Sequence, residues 1–212
     1  MGPIVATLLL FFEEEDAFWL MNAIIEDILP ASYYSHTLIG VQADIKVLSQ
    51  LIGMYLPEIE NKFKEYEIEL SLICINWFLT IFSNVFHIKI LLRIWDLFFY
   101  EGSVAIFQIT LAMLKMNESE ILKAESSSEI FTVLSEIPST IYDIDLLIEM
   151  SIRVASSVNK SQVDSIRRKH QAYLMAQNGA IINPSKYESL LLSRERSRNL
   201  DIRSQNFMSL FK

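Results

Sequence analysis

One cysteine, Cys74, is all that 212 residues contain, so no disulfide can form within the chain. A lone thiol inside an apolar run reads as a buried side chain in a reducing compartment. There are only 5 Gly and 5 Pro, too few for the turns of a β-sandwich of this length, and 51% of residues are hydrophobic. That composition belongs to a helix-rich, turn-poor fold with an ample core. The three histidines, His36, His87 and His170, are dispersed and lack metal-ligand spacing. GxxxxGK, GxGxxG and GxSxG are all absent, which removes the usual phosphate cradles and the nucleophile elbow. These patterns predict no catalytic residue, no cofactor and no metal.

Basic charge is also scarce until late in the chain. The net charge is −8, but residues 1–166 carry −14 and residues 167–212 carry +6. An acidic body without a basic face is not a nucleic-acid binder. The basic tail is a solvated end that can reach anionic lipid or an acidic partner, so a peripheral membrane contact is one expectation for it. Oligomeric state is not legible.

No apolar run reaches the roughly 20 residues that span a bilayer. Gly2 to Phe12, GPIVATLLLFF, lacks the basic flank and small-residue cleavage site of a signal peptide. Ala6 stands where a myristoylation signal requires Ser or Thr. The segment reads as a core helix entered partway. With its partners elsewhere, its bare apolar face predicts self-association.

Helical stripes follow. Phe18, Met21, Ile25 and Ile28 mark a helix with Asp16 as its cap and Pro30 as its stop; PASYYSHT is a loop. Val41, Ile45, Leu48, Ile52 and Tyr55 form the next, and Pro57 opens a short amphipathic turn. Leu70–Phe82, Ile88–Tyr100 and Val104–Leu114 are apolar nearly all round, as buried helices are. Gly102 sits where a left-handed cap belongs. Ser128 is placed as the cap of a short helix ending at Leu134, with a turn at Pro138. Two amphipathic helices over 145–158 and 162–177 precede a tail, 180–212, expected to be disordered. The fold class is all-α.

The chain is organised around Glu69 to Gly102, ELSLICINWFLTIFSNVFHIKILLRIWDLFFYEG. Arg93 and Asp96 stand out in it, three apart on one helix and able to pair. Against so apolar a background they read as a buried structural ion pair.

WFLTIF followed by LLRIWDLFFYEG resembles the latter half of the TBC domain of Rab GTPase-activating proteins. EEEDAFWLMNAIIEDILP and GVQADIKVLSQLI are similar to the two preceding helices of that family. The run on through IPS and RRKHQAYL resembles the RUN-and-TBC small G protein signalling modulators. The resemblance implies a partial TBC domain over 1–120, additional helices packed on it over 121–179, and the tail over 180–212. It gives Arg93, Trp95, Asp96 and Gly102 a structural role. Trp77, Phe78 and Phe82 fall on the neighbouring helix, as core or as a face that reaches the partner. That partner is implied to be a Rab-type small GTPase in vesicle trafficking, which places the chain in the cytoplasm, peripheral to endomembranes.

Two departures matter. Phe86-His87 stands where the family favours Leu-Pro, which alters a corner. More consequentially, the family's arginine finger (IxxDxxR) and glutamine finger (YxQ) match nothing here: neither pattern occurs in the sequence. The resemblance thus implies a domain derived from a GTPase activator that does not itself accelerate hydrolysis. A non-catalytic helical scaffold or protein-interaction module is the alternative.

Overall fold

The computed structural model describes residues 1–178 and Leu192; apart from Leu192, the tail expected over 180–212 lies outside the described residues. Among these residues there are eleven α-helices, one π-helical turn and no strand, in agreement with the all-α expectation. The order is α1 (Gly2–Leu8), α2 (Glu14–Ala23) running into the π turn (Ile24–Ile28), α3 (Ile39–Tyr55), α4 (Pro57–Glu65), α5 (Ser71–Thr80) and α6 (Ile88–Glu101). There follow α7 (Val104–Met116), α8 (Glu118–Lys123), α9 (Ser127–Thr140), α10 (Ile144–Ala155) and α11 (Lys160–Gln177).

The core is built around α7, in which every residue from Val104 to Leu114 is buried. A helix apolar on all sides must be surrounded, and α6, α9 and α10 all pack against it. Its two polar residues are accommodated by hydrogen bonds: Gln108 Nε2 donates to the Val158 carbonyl at 3.0 Å, and Thr110 Oγ1 to the Ile106 carbonyl at 2.7 Å. The second long buried helix, α3, packs against α4, α5 and α11. Just before it the loop folds back so tightly that a Cβ on Gly40 would lie 2.6 Å from Tyr33 Cα, so glycine is required there.

Several local expectations are corrected. Glu13, not Asp16, is the N-cap residue of α2, which puts three acids in its first turn, where the helix dipole favours them. The stripe through Ile25 and Ile28 ends as a π turn, closed by the Leu29 N–H on the Ile24 carbonyl at 2.9 Å. Pro30 forces the residue before it into an extended conformation, and Leu29 takes ψ 153°. Phe18 points outward, 63% exposed. The expected turn at Pro138 is helical: α9 runs on to Thr140, because a proline two residues from the end forfeits one hydrogen bond without breaking the turns before it. Its cap is Ser126, not Ser128. Ser126 Oγ accepts from the Glu129 N–H at 3.2 Å, while Glu129 Oε2 accepts from the Glu125 N–H at 2.8 Å, a reciprocal arrangement close to a capping box. No described helix is long and apolar enough to cross a membrane.

Candidate functional site

The signature stretch folds into two helices joined by a strained corner. α5 ends in a Schellman arrangement: the Phe82 N–H donates to the Trp77 carbonyl at 2.9 Å, and the Ile81 N–H to the Phe78 carbonyl at 3.2 Å. The left-handed position, normally glycine, is Ile81 at φ 47°, and Phe82 follows at φ 60°. Left-handed backbone costs a bulky residue roughly 1–2 kcal/mol, so the surroundings must impose it. They do so through Trp95, whose indole Nε1 donates to the Ile81 carbonyl at 2.9 Å, and Tyr34, whose hydroxyl donates to the Leu79 carbonyl at 2.9 Å. Phe82 packs between the rings of Trp77 and Phe86, with centroids at 6.5 and 5.9 Å. At Phe86-His87, His87 caps α6, its Nδ1 accepting from the Lys89 N–H at 3.4 Å. Both helices form around that departure from Leu-Pro. Burial pushes the thiol of Cys74, inside α5, up to about 12.

One expectation about side chains changes here, and of the two readings of Trp77, Phe78 and Phe82 the structure has the core one. Arg93 and Asp96 do meet, at 3.1 Å, but their side chains are 56% and 69% exposed. The pair lies on the outer face of α6, opposite buried Leu91, Ile94, Trp95 and Phe98, so it is not a buried ion pair. Trp77, Phe78 and Phe82 are 4%, 0% and 0% exposed and present no face to a partner in this structure. Gly102 closes α6 at φ 83° and ψ −160°, a combination essentially confined to glycine.

The buried ion pair lies elsewhere. Arg167 on α11 donates from Nε to Asp44 Oδ1 at 2.6 Å and from Nη2 to Asp44 Oδ2 at 3.2 Å. Nη1 reaches Asp164 at 2.7 Å, and Nη2 also donates to Ser103 Oγ at 3.2 Å. The guanidinium lies over the Phe107 ring, 5.5 Å from its centroid. Burial raises the Asp44 pKa above the ordinary carboxylate value, opposed by Arg167. Burial works to lower the Arg167 pKa, but Asp44 and Asp164 outweigh it and raise it. Sequence reading missed both residues, although each interrupts an apolar stripe: Asp44 sits between Val41, Ile45 and Leu48, and Arg167 shares a face with Val163 and Leu174.

The family model of the Rab-GTPase-TBC domain matches residues 1–122. This chain belongs to the Rab-GTPase-TBC family. It is 54% identical over 181 residues to Small G protein signaling modulator 3 of Bos taurus, covering 85% of this chain and 24% of that protein. To the Homo sapiens protein of that name it is 53% identical over 189 residues, covering 89% and 25%. The chain therefore spans about a quarter of the length of the curated relatives it matches. The solved TBC domain of a Chlamydomonas flagellar RabGAP superposes with a TM-score of 0.63 at 32% identity, covering 71% of this chain and 50% of that one.

Within this TBC chain two surfaces stand apart. A neutral groove of about 440 Å³ runs along the strained corner, lined by Asn76, Asn84, His87, Ser139 and Tyr142. At the turn from α1 to α2, by contrast, Leu9, Leu10, Phe11, Phe12, Phe18 and Trp19 are 41–70% exposed, beside exposed Glu13, Glu14, Glu15 and Asp16. The core-helix reading of 2–12 thus holds for one face only: Ile4 and Leu8 are buried, while the residues after them are not. No three described His, Cys, Asp or Glu residues are grouped to hold a metal.

Proposed function

We propose that this chain is the C-terminal scaffold of a Rab GTPase activator, binding a Rab-type small GTPase in vesicle traffic without accelerating its hydrolysis. The observation that carries this reading is family membership over residues 1–122 combined with a sequence in which neither YxQ nor IxxDxxR occurs. An arginine finger neutralises charge on the transferring phosphoryl group and is worth roughly 10³ to 10⁵ in rate, or about 4 to 7 kcal/mol of transition-state stabilisation. Arg93 and Arg153 lie outside any IxxDxxR context, and each faces a carboxylate on its own helix, Asp96 and Glu149. On this reading the protein works in the cytoplasm beside endomembranes, residues 1–120 form the TBC portion, and 121–179 complete its packing. The role of Arg93, Trp95, Asp96 and Gly102 is to shape the corner and α6.

Single-turnover GTP hydrolysis by a panel of Rab proteins, with and without the purified chain, tests this. The expected result is an unchanged rate together with nucleotide-dependent retention of a Rab on the immobilised chain. Acceleration beyond about tenfold, far above what a scaffold without fingers can supply, overturns the catalytic part. Absence of Rab retention overturns the binding part. The exposed apolar corner at α1–α2 favours a second reading, a protein-interaction module, which predicts capture of a partner regardless of the nucleotide on the Rab.

A further inference from the structure

Polar atoms sealed inside a protein almost always find a partner, because solvent cannot replace a hydrogen bond left unmade there. Among the described residues two buried side-chain atoms have none, Gln108 Oε1 and the Tyr33 hydroxyl. Gln108 is anchored through its Nε2, whereas the hydroxyl is the whole polar capacity of the Tyr33 side chain. Tyr33 is 2% exposed, so elements of this chain itself enclose it. Its backbone rests on α3, where a Cβ on Gly40 would lie 2.6 Å from Tyr33 Cα. Asp44 stands one turn further along that face of α3. From the other side α11 closes over the loop, with Gln171 Nε2 donating to the Ala31 carbonyl at 3.2 Å.

The charged groups in this chamber have bonding capacity left over. Arg167 carries five N–H donors. Nε donates to Asp44, Nη2 donates to Asp44 and Ser103, and Nη1 donates to Asp164, which leaves one hydrogen on Nη1. Each Asp44 oxygen accepts one bond from Arg167 and can accept a second. Burial, then the Asp44 charge and Tyr34, raise the Tyr33 pKa, and Arg167 opposes them. The hydroxyl therefore keeps its proton, needs an acceptor, and feels both members of the ion pair. A ligand that accepts from one group and donates to another inside a closed chamber is small and neutral. Water meets that description and makes about three hydrogen bonds in such sites.

We propose that Tyr33, Asp44 and Arg167 enclose a site for one ordered water, which accepts from the Tyr33 hydroxyl and donates to the Asp44 carboxylate. Tyr33, Asp44 and Ser103 belong to the family-matched residues 1–122, and Arg167 to a helix beyond them. The water is thus part of the joint that seats α11 on the TBC portion.

Tyr33→Phe removes the hydroxyl and keeps the ring. Urea unfolding should show the folding equilibrium constant lowered by roughly 2- to 10-fold, the range of one net hydrogen bond. An unchanged or raised constant overturns the proposal, since a phenol without a partner is relieved by its loss. In the apolar background of Arg167→Met with Asp44→Leu, the same substitution should cost nothing measurable. An equal penalty in that background also overturns the proposal. A crystal structure of the chain then separates water from direct contact. One solvent peak is expected within hydrogen-bond distance of both the Tyr33 hydroxyl and an Asp44 oxygen. A direct Tyr33–Asp44 bond, or a hydroxyl with no solvent density beside it, overturns the proposal.

Discussion

Arg93 and Arg167 each meet an aspartate, at 3.1 Å from Asp96 and 2.6 Å from Asp44, but the two pairs sit in different solvents. The first is more than half exposed on both sides. Water screens it, and exposed pairs contribute roughly 0–1 kcal/mol. The side chains of Arg167 and Asp44 are 3% and 0% exposed, so removing one strands a charge in the interior at a cost of roughly 3–5 kcal/mol. Urea unfolding should therefore move little for Asp96→Ala and by several kcal/mol for Arg167→Ala. The double variant Arg167→Met with Asp44→Leu should recover much of that loss, because apolar replacement of a buried pair is often near neutral. Equal losses for Asp96→Ala and Arg167→Ala would show this placement of the two pairs to be wrong. Their sequence separations explain why one pair was legible and the other was not. Arg93 and Asp96 are three apart, so proximity follows from helical spacing, but whether their shared face is wet depends on what packs against α6. Asp44 and Arg167 are 123 positions apart, and only the packing of α11 on α3 brings them together.

At the scale of the element, α5 and α6 were readable as helices from their dense apolar residues, and the buried Cys74 follows from the same fact, but the wet outer face of α6 carrying Arg93, Asp96 and Tyr100 was not. The joint between them was not readable. Nothing in ILE-PHE-SER as text announces two successive left-handed residues, since that conformation normally calls for glycine. It is the indole of Trp95, fourteen positions on, that holds the Ile81 carbonyl. Trp95→Phe keeps most of the apolar volume and removes that donor, leaving a buried carbonyl short of a partner at roughly 1–3 kcal/mol. The expected outcome is a lower denaturation midpoint, with amide exchange accelerated at the residues flanking Ile81 more than in α7. Uniform acceleration through the core would mean that the indole acts by packing alone. α9 shows the opposite balance, because Ser126, Glu129 and Pro138 are all local signals. The helix outruns the proline because Ile137 and Ile141 on either side of it are buried, and that reward was invisible without the neighbours.

For the whole molecule, the family signature locates residues 1–122, yet the packing does not end there. The faces that α7 and α3 turn away from the TBC portion are covered by α9, α10 and α11. Those helices bury Ile130, Leu134, Ile137, Leu147 and Val163 at no more than 1% exposure each. Burying one such side chain contributes roughly 1.5–3 kcal/mol, whereas a whole domain is stable by roughly 5–15 kcal/mol. The polar connections point the same way. Gln108 in the middle of α7 bonds to the Val158 carbonyl, Tyr55 at the end of α3 donates to the Ser157 carbonyl at 2.8 Å, and Asp44 holds Arg167. A chain cut after Leu122 exposes a helix that is apolar on every side and strips the partners from Asp44 and Gln108. It should therefore lack a cooperative thermal transition, bind a hydrophobic dye and aggregate at concentrations where the full chain stays dispersed. Cooperative unfolding of the truncated chain at an undiminished midpoint would mean that the family-matched portion is a folding unit by itself and that α9 to α11 are an appendage.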